Sequence, residues 1–189
     1  MGQDHECSLA GHLLLAMPGM LDPNFDSAVT YNCEHSEKGA VGITINRPMK
    51  MNVSDVMEQL SLTISDSSLA AQPVMRGGPV QSERGFVLHE SDHEWDSTTT
   101  VGRSIFVTTS QDILSAAAAG KGPKRMLIAL GYAGWGAGQL EEEIRQNAWL
   151  TAPATPDLIF STPFKQRWQA SAAEIGVNIA SLSPQVGHA

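Results

Sequence analysis

Cysteine is nearly missing from this chain: two among 189 residues, Cys7 and Cys33, with no spacing pattern between them. That excludes a disulfide framework and points to a reducing compartment. Positive charge is scarce too, 12 Lys and Arg against 20 Asp and Glu, for a net charge of −8. Such a molecule repels polyanions as a whole and lacks the basic footprint of a nucleic-acid binder. Its one dense basic group, Lys121, Lys124 and Arg125, follows the alanine run 116–119 and reads as a helix C-terminus complementing its dipole. Apolar runs are short, and none reaches the roughly 20 residues that span a bilayer. A secretory signal would open with positive charge, but Asp4 and Glu6 precede the first apolar run; N-myristoylation would need Ser or Thr where Glu6 stands. The chain is therefore expected in the cytoplasm. Neither a repeat nor a linker is visible, since the most polar stretches, 65–68 and 91–100, are short. Residues 12–189 read as one domain behind a flexible N-terminus, 1–11.

What is present is an alternation of apolar runs and capped helical patterns. Residues 12–17, 28–33, 40–46, 86–89, 98–107 (broken at Gly102) and 125–131 read as strands. Helices are expected over VSDVMEQL, opened by Asn52 or Ser54; over QDILSAAAA, opened by Ser110 and stopped by Gly120; over 139–147; and over FKQRWQASAAEI, opened by Thr162 and Pro163 and closed by Gly176. With strands crowded early and helices late, the order favours an α+β domain: a twisted, coiled mixed sheet flanked by helices.

Several motifs suggest chemistry and lose it on inspection. HESDH, residues 89–93, matches the H-E-x-x-H zinc-protease pattern, which works on a helix because i and i+4 share a face. Its flanks carry no helical stripe: Phe86, Val87 and Leu88 come together, and nothing apolar follows until Trp95. His89, Glu90, Asp92 and His93 are thus expected on a strand running into an acidic loop, with no metal. In CEH, Cys33 and His35 would share a strand face about 6.6 Å apart, too far for a thiolate–imidazole pair. Ser110 and Asp112 read as a cap and a dipole-favoured acid.

The stretch LIALGYAGWGAGQLEEEIRQNAWL, 127–150, has the order apolar strand, glycine-rich turn, helix, which can cradle phosphate. However, Gln139 stands where the dinucleotide fingerprint needs glycine, and Glu141, Glu142 and Glu143 already complement the helix dipole. Packing of Trp135 at a tight corner is the plainer reading. In RGGPVQ, Arg76 stands beside a glycine turn (Gly77, Gly78), and Arg76 or Arg47 suits a carboxylate or phosphate. The plainer reading is a hairpin whose arginines pair locally.

Taken together and in this order, HLLLAMPGMLDPNFDSAVTYNCEH, GAVGITINRP, RGGPVQSERGFVLH, TTSQDILSAAAAGKGP and LGYAGWGAGQLEEEIRQNAWL resemble the bacterial YqgE/AlgH family. The resemblance runs from about His12 to Leu150, more weakly through the C-terminal helix. It implies a single α+β domain of coiled mixed sheets and a regulatory role, in alginate production or as described transcriptional regulators; it brings no catalytic residues. None of the candidate helices suits a major groove. The expectation is therefore a cytoplasmic binding or regulatory protein acting through a protein or small-molecule partner, without cofactor or membrane. The alternative is a small enzyme acting on an anionic ligand between the RGGPVQ turn and the GYAGWGAGQ corner. The candidate ligand-binding residues are Arg47, Arg76, Gly77, Gly78, Gln81, Trp135 and Gln139.

Overall fold

In the computed structural model, which describes residues 8–19, 27–90, 93–102 and 104–177, the apolar runs pair edge to edge into one curled sheet. Its strands are β1 (His12–Ala16), β2 (Val29–Ser36), β3 (Gly39–Thr44), β4 (Pro48–Asn52), β5 (Pro73–Arg76), β6 (Val80–His89), β7 (Thr98–Val101), β8 (Ile105–Thr108), β9 (Met126–Gly136) and β10 (Trp149–Pro153). They lie in the order β10-β1-β2-β3-β9-β6-β8-β7, with β5 on β9 and β4 on β5 as a side arm. The sheet is mixed because β5 runs parallel to β9 while every other pair is antiparallel. The α+β reading holds. Curling brings β7, at one end of the path, back to β2 near the other: the Tyr31 hydroxyl of β2 donates to the Val101 carbonyl of β7 at 3.0 Å.

The helices are short: α1 (Val53–Gln59), α2 (Ser67–Ala70), α3 (Asp112–Ala118), α4 (Gln139–Arg145) and α5 (Arg167–Glu174). Asn52 opens α1, its N–H donating to Asp55 Oδ2 at 2.8 Å; Ser54 lies inside the helix. Ser110 lies one residue outside the cap of α3 and donates instead to Asp112 Oδ1 at 2.5 Å. Gly120 and Gly176 end their helices at positive φ, as expected of glycine after a C-cap. The last helix begins later than Thr162, because Phe164–Gln166 forms a separate 3₁₀ turn. It is strapped to the sheet by two buried side chains. Arg167 donates through NH1 to the Ile45 carbonyl and through Nε to the Thr162 carbonyl, and Trp168 Nε1 donates to the Ala16 carbonyl at 2.9 Å.

Three apolar clusters result. One fills the concave side of the sheet under α5, one lies between β6/β9 and α1/α3, and one lies under α4, where Trp135 meets Trp149 edge to face with centroids 5.8 Å apart. Several strand readings need correction. β4, β5 and β10 were not anticipated, and β6 begins at Val80 rather than Phe86. The stretch read as a glycine-rich corner is strand, since β9 continues unbroken to Gly136 and alternates Ala133 in, Gly134 out, Trp135 in, Gly136 out. The turn comes two residues later, at Gly138, with φ of 74°.

Candidate functional site

The sequence candidates divide by location. Of HESDH, His89 ends β6 as expected and His93 lies outside helix and strand; Ser91 and Asp92 are outside the described residues. His89 is fully buried, with Nε2 2.7 Å from Thr108 Oγ1 and its ring between Trp95 and Phe106. Burial pushes its pKa down to about 4, so the imidazole is neutral at ordinary pH. His93 is exposed and touches the other side of Trp95. Glu90 turns to Arg125, which also binds Asp157 and Ser161; the basic group 121–125 thus ends in an ion-pair clasp rather than on a helix C-terminus. A helix face with two imidazoles never forms.

Cys33 and His35 do not pair either. The Cys33 thiol faces the Tyr31 carbonyl at 3.6 Å, and burial pushes its pKa well above the usual range. His35 accepts the Leu9 N–H at Nδ1 and meets Glu141 through Nε2. Glu141 is held below the usual carboxylate range first by its own backbone N–H at the start of α4 and then by His35.

Arg47 and Arg76 come together. The Arg76 N–H donates to the Arg47 carbonyl at 2.7 Å, one step beyond the Pro48–Met75 pair of β4 and β5. That register places the two guanidinium-bearing residues opposite each other. Gly77 and Gly78, buried, are not a hairpin: β5 and β6 each pair with β9, and the link between them crosses the Gly131 bend of that strand. A β-carbon on Gly77, Gly78 or Gly131 would fall well inside 3.0 Å of backbone atoms of the other segment. The RGGPVQ and GYAGWGAGQ segments therefore do meet, backbone against backbone, and at this crossing no space is left between them. Gln81 is exposed at φ of 45°. Farther along β9, Trp135 is 6% exposed in the α4 cluster, over Gly42, whose missing side chain makes room for its ring. Gln139 Oε1 accepts the Gly136 N–H at 2.9 Å.

One concavity was not anticipated. It is a groove of about 490 Å³ between α1 and α3, floored by β6 and β9. Each of the two helices is seven residues long, about 10 Å, too short to cover the sheet face beneath it. On its sheet side α3 contributes alanines, Ala117 and Ala118, beside Ile113 and Leu114, and is therefore thin. The floor is apolar, from Val87, Ile128 and Leu130, with Val56 and Leu60 as one wall. Five polar side chains stand around it, Gln59, Ser82, Glu83, Thr109 and Gln111, and among the described residues none has a hydrogen bond or ion pair. Ser82 and Glu83 are carried there by a bulge in β6, where the register on β9 jumps between Val80 and Gly85. A volume of this size, apolar with a few convergent polar groups, has the character of small-molecule sites.

The sequence signals for this groove were faint. The alanine run 116–119 announced a slender helix, but the lining comes from six elements spread along the chain.

A family model described as AlgH-like matches residues 13–180. A UPF0301 protein of Thioalkalivibrio sulfidiphilus is 52% identical over 182 residues, 96% of this chain and 97% of its own length. A UPF0301 protein of Xanthomonas campestris is 48% identical over 181 residues, 96% of both. The solution structure of the AlgH protein from Pseudomonas aeruginosa is 49% identical and superposes with a TM-score of 0.78 over 100% of both chains. A crystal structure from Corynebacterium diphtheriae, at 22% identity, shares the fold with a TM-score of 0.72 over 92% of this chain and 90% of its own.

Proposed function

This chain belongs to the AlgH-like family, and from that membership and the geometry of the groove we propose that it is a non-enzymatic, cytoplasmic binding protein that regulates through a small-molecule partner. The observation that carries the reading is the groove between α1 and α3: an apolar floor ringed by five polar side chains with no partner of their own among the described residues. Apolar surface with a few polar side chains around its rim suits a small ligand that buries its body and keeps its polar end wet.

Direct reading of DNA fits the surface poorly. The helices carry little positive charge: α1 and α3 have none, and Arg145 of α4 is paired with Glu142 at 2.6 Å. Catalysis also finds little support, because the candidate nucleophiles and bases are engaged elsewhere. Ser110 is bonded to Asp112, His89 is buried against Thr108, and His35 is bonded to Glu141.

A second reading, an anion held at Arg47 and Arg76, is favoured by their opposed register, which sets two guanidinium-bearing residues side by side.

Thermal-shift measurements with neutral apolar compounds, sugar phosphates, nucleotides and divalent metals separate the readings. The proposal expects stabilisation by neutral apolar compounds that is lost in Val56→Trp, which fills the groove. Stabilisation by sugar phosphates, lost in Arg76→Ala and retained in Val56→Trp, would establish the second reading in its place.

A further inference from the structure

The groove's polar ring is chemically one-sided. Gln59, Ser82, Thr109 and Gln111 each offer both donors and acceptors, but Glu83 offers acceptors and a negative charge. Among the residues lining the groove it is the one ionisable side chain. The carboxylate at the start of α3 is already satisfied: Asp112 accepts from the Ser110 hydroxyl at 2.5 Å, the Asp96 N–H at 2.7 Å and the Ile113 N–H at 3.0 Å. Glu83, by contrast, has no hydrogen bond or ion pair within the described residues. The bulge in β6 is what puts it there. A regular strand between Val80 and Gly85 would stay in register with β9, whereas this one spends five steps opposite two, from Tyr132 to Leu130, and swings Ser82 and Glu83 out to the rim.

An anionic ligand would therefore meet a carboxylate at the rim of a molecule whose net charge is already −8. A ligand with an apolar body and a cationic head would bury the body on Val87, Ile128 and Leu130 and leave its head beside Glu83 in solvent. The volume suits a body of modest length: 490 Å³ equals the space of about sixteen waters at roughly 30 Å³ each.

We infer that the groove selects small cationic amphiphiles, an aliphatic or aromatic body carrying an amine, with Glu83 as the residue that sets the preference for charge. This rests on the groove being the binding site, as proposed above. Glu83 is exposed, so its contribution is that of a surface ion pair, and the expected preference is a few-fold rather than many orders of magnitude.

The test is calorimetric titration of the full chain with three probes of one length: decylamine, decanol and decanoate. The expected order is amine over alcohol by about threefold and alcohol over carboxylate by a similar factor. In Glu83→Gln the amine and alcohol should bind equally, with the alcohol unchanged from the parent; in Val56→Trp all three should fail. Unfolding in urea confirms that each variant is folded. Equal binding of amine and alcohol to the parent, or a preference that survives in Glu83→Gln, overturns the charge assignment and leaves the groove reading intact. Absence of binding by all three probes, or binding that Val56→Trp does not touch, overturns the groove reading itself and this inference with it.

Discussion

Gly78 lies flat against Tyr132, so close that a β-carbon on the glycine would sit well inside 3.0 Å of the Tyr132 carbonyl group. The contact belongs to a backbone crossing. β5 pairs with β9 up to Leu130, the chain passes over the bend at Gly131, and β6 resumes on β9 from Val80 at Tyr132. Two hydrogen bonds fix it, from the Gly77 N–H to the Leu130 carbonyl and from the Thr44 N–H to the Gly77 carbonyl, both at 2.8 Å. The Gly77–Gly78 pair thus ties β3, β5, β6 and β9 together at one point.

Gly78→Ala should accordingly destabilise by about 2–3 kcal/mol, the scale of a methyl forced into a packed interior with no room to yield. Urea unfolding measures it. Gly138→Ala is the contrast: it has open space around it and costs only the strain of a positive φ, about 1 kcal/mol. If the two variants lost equal stability, the crossing would not be the tight point described.

Trp135 makes the next prediction. It is 6% exposed, stacked edge to face on Trp149 and covered by Leu140 of α4. Trp135→Ala should cost roughly 3–5 kcal/mol, as deletions of large buried aromatics do. Acrylamide should quench a larger fraction of the emission in the folded Trp135→Phe variant than in the parent, because the indole removed is one the quencher does not reach.

How much of this was legible beforehand depends on whether the signal was local. The caps at Asn52 and Gly120, the strand-into-loop course of HESDH, and the burial of Trp135 all rest on neighbours within a few residues, and the sequence carried them. The course of GYAGWG did not follow from its glycines, because Gly134 and Gly136 face outward on a strand whose inward positions, Ala133 and Trp135, supply the pattern. β4 was hidden for a different reason: PMKMN is a half-exposed edge that begins with proline, so neither alternation nor apolar run stands out. The groove was the least legible feature, since Leu60, Glu83, Leu114 and Leu130 converge only after the sheet has formed.

His89 predicts a pH dependence. Its folded pKa is pushed down to about 4 from the ordinary 6.5 by burial. Between those values the unfolded chain binds more protons than the folded one, so stability rises with pH. The contribution is complete above about 6.5 and is lost as pH falls towards 4, by up to about 3 kcal/mol. Urea midpoints of the parent and His89→Gln, compared at intervals from pH 4 to 7, should show a shallower slope in the variant. Parallel slopes would mean that His89 is protonated as readily folded as unfolded.

Mobility-shift titrations address nucleic acid. With 20 acidic against 12 basic residues, binding to duplex DNA should be weak at physiological salt, independent of sequence, and abolished as salt rises. Sequence-selective binding at nanomolar concentration would contradict the charge argument.

The measurement that bears most directly on the central claim is a ¹H–¹⁵N correlation spectrum of the chain titrated with decanol, a probe that tests the groove without calling on Glu83. The account predicts saturable shifts confined to the groove's walls and floor, at Val56, Leu60, Leu114 and Ile128, and their disappearance in Val56→Trp. Unchanged resonances at those positions, or shifts centred instead on Arg47 and Arg76, would contradict it.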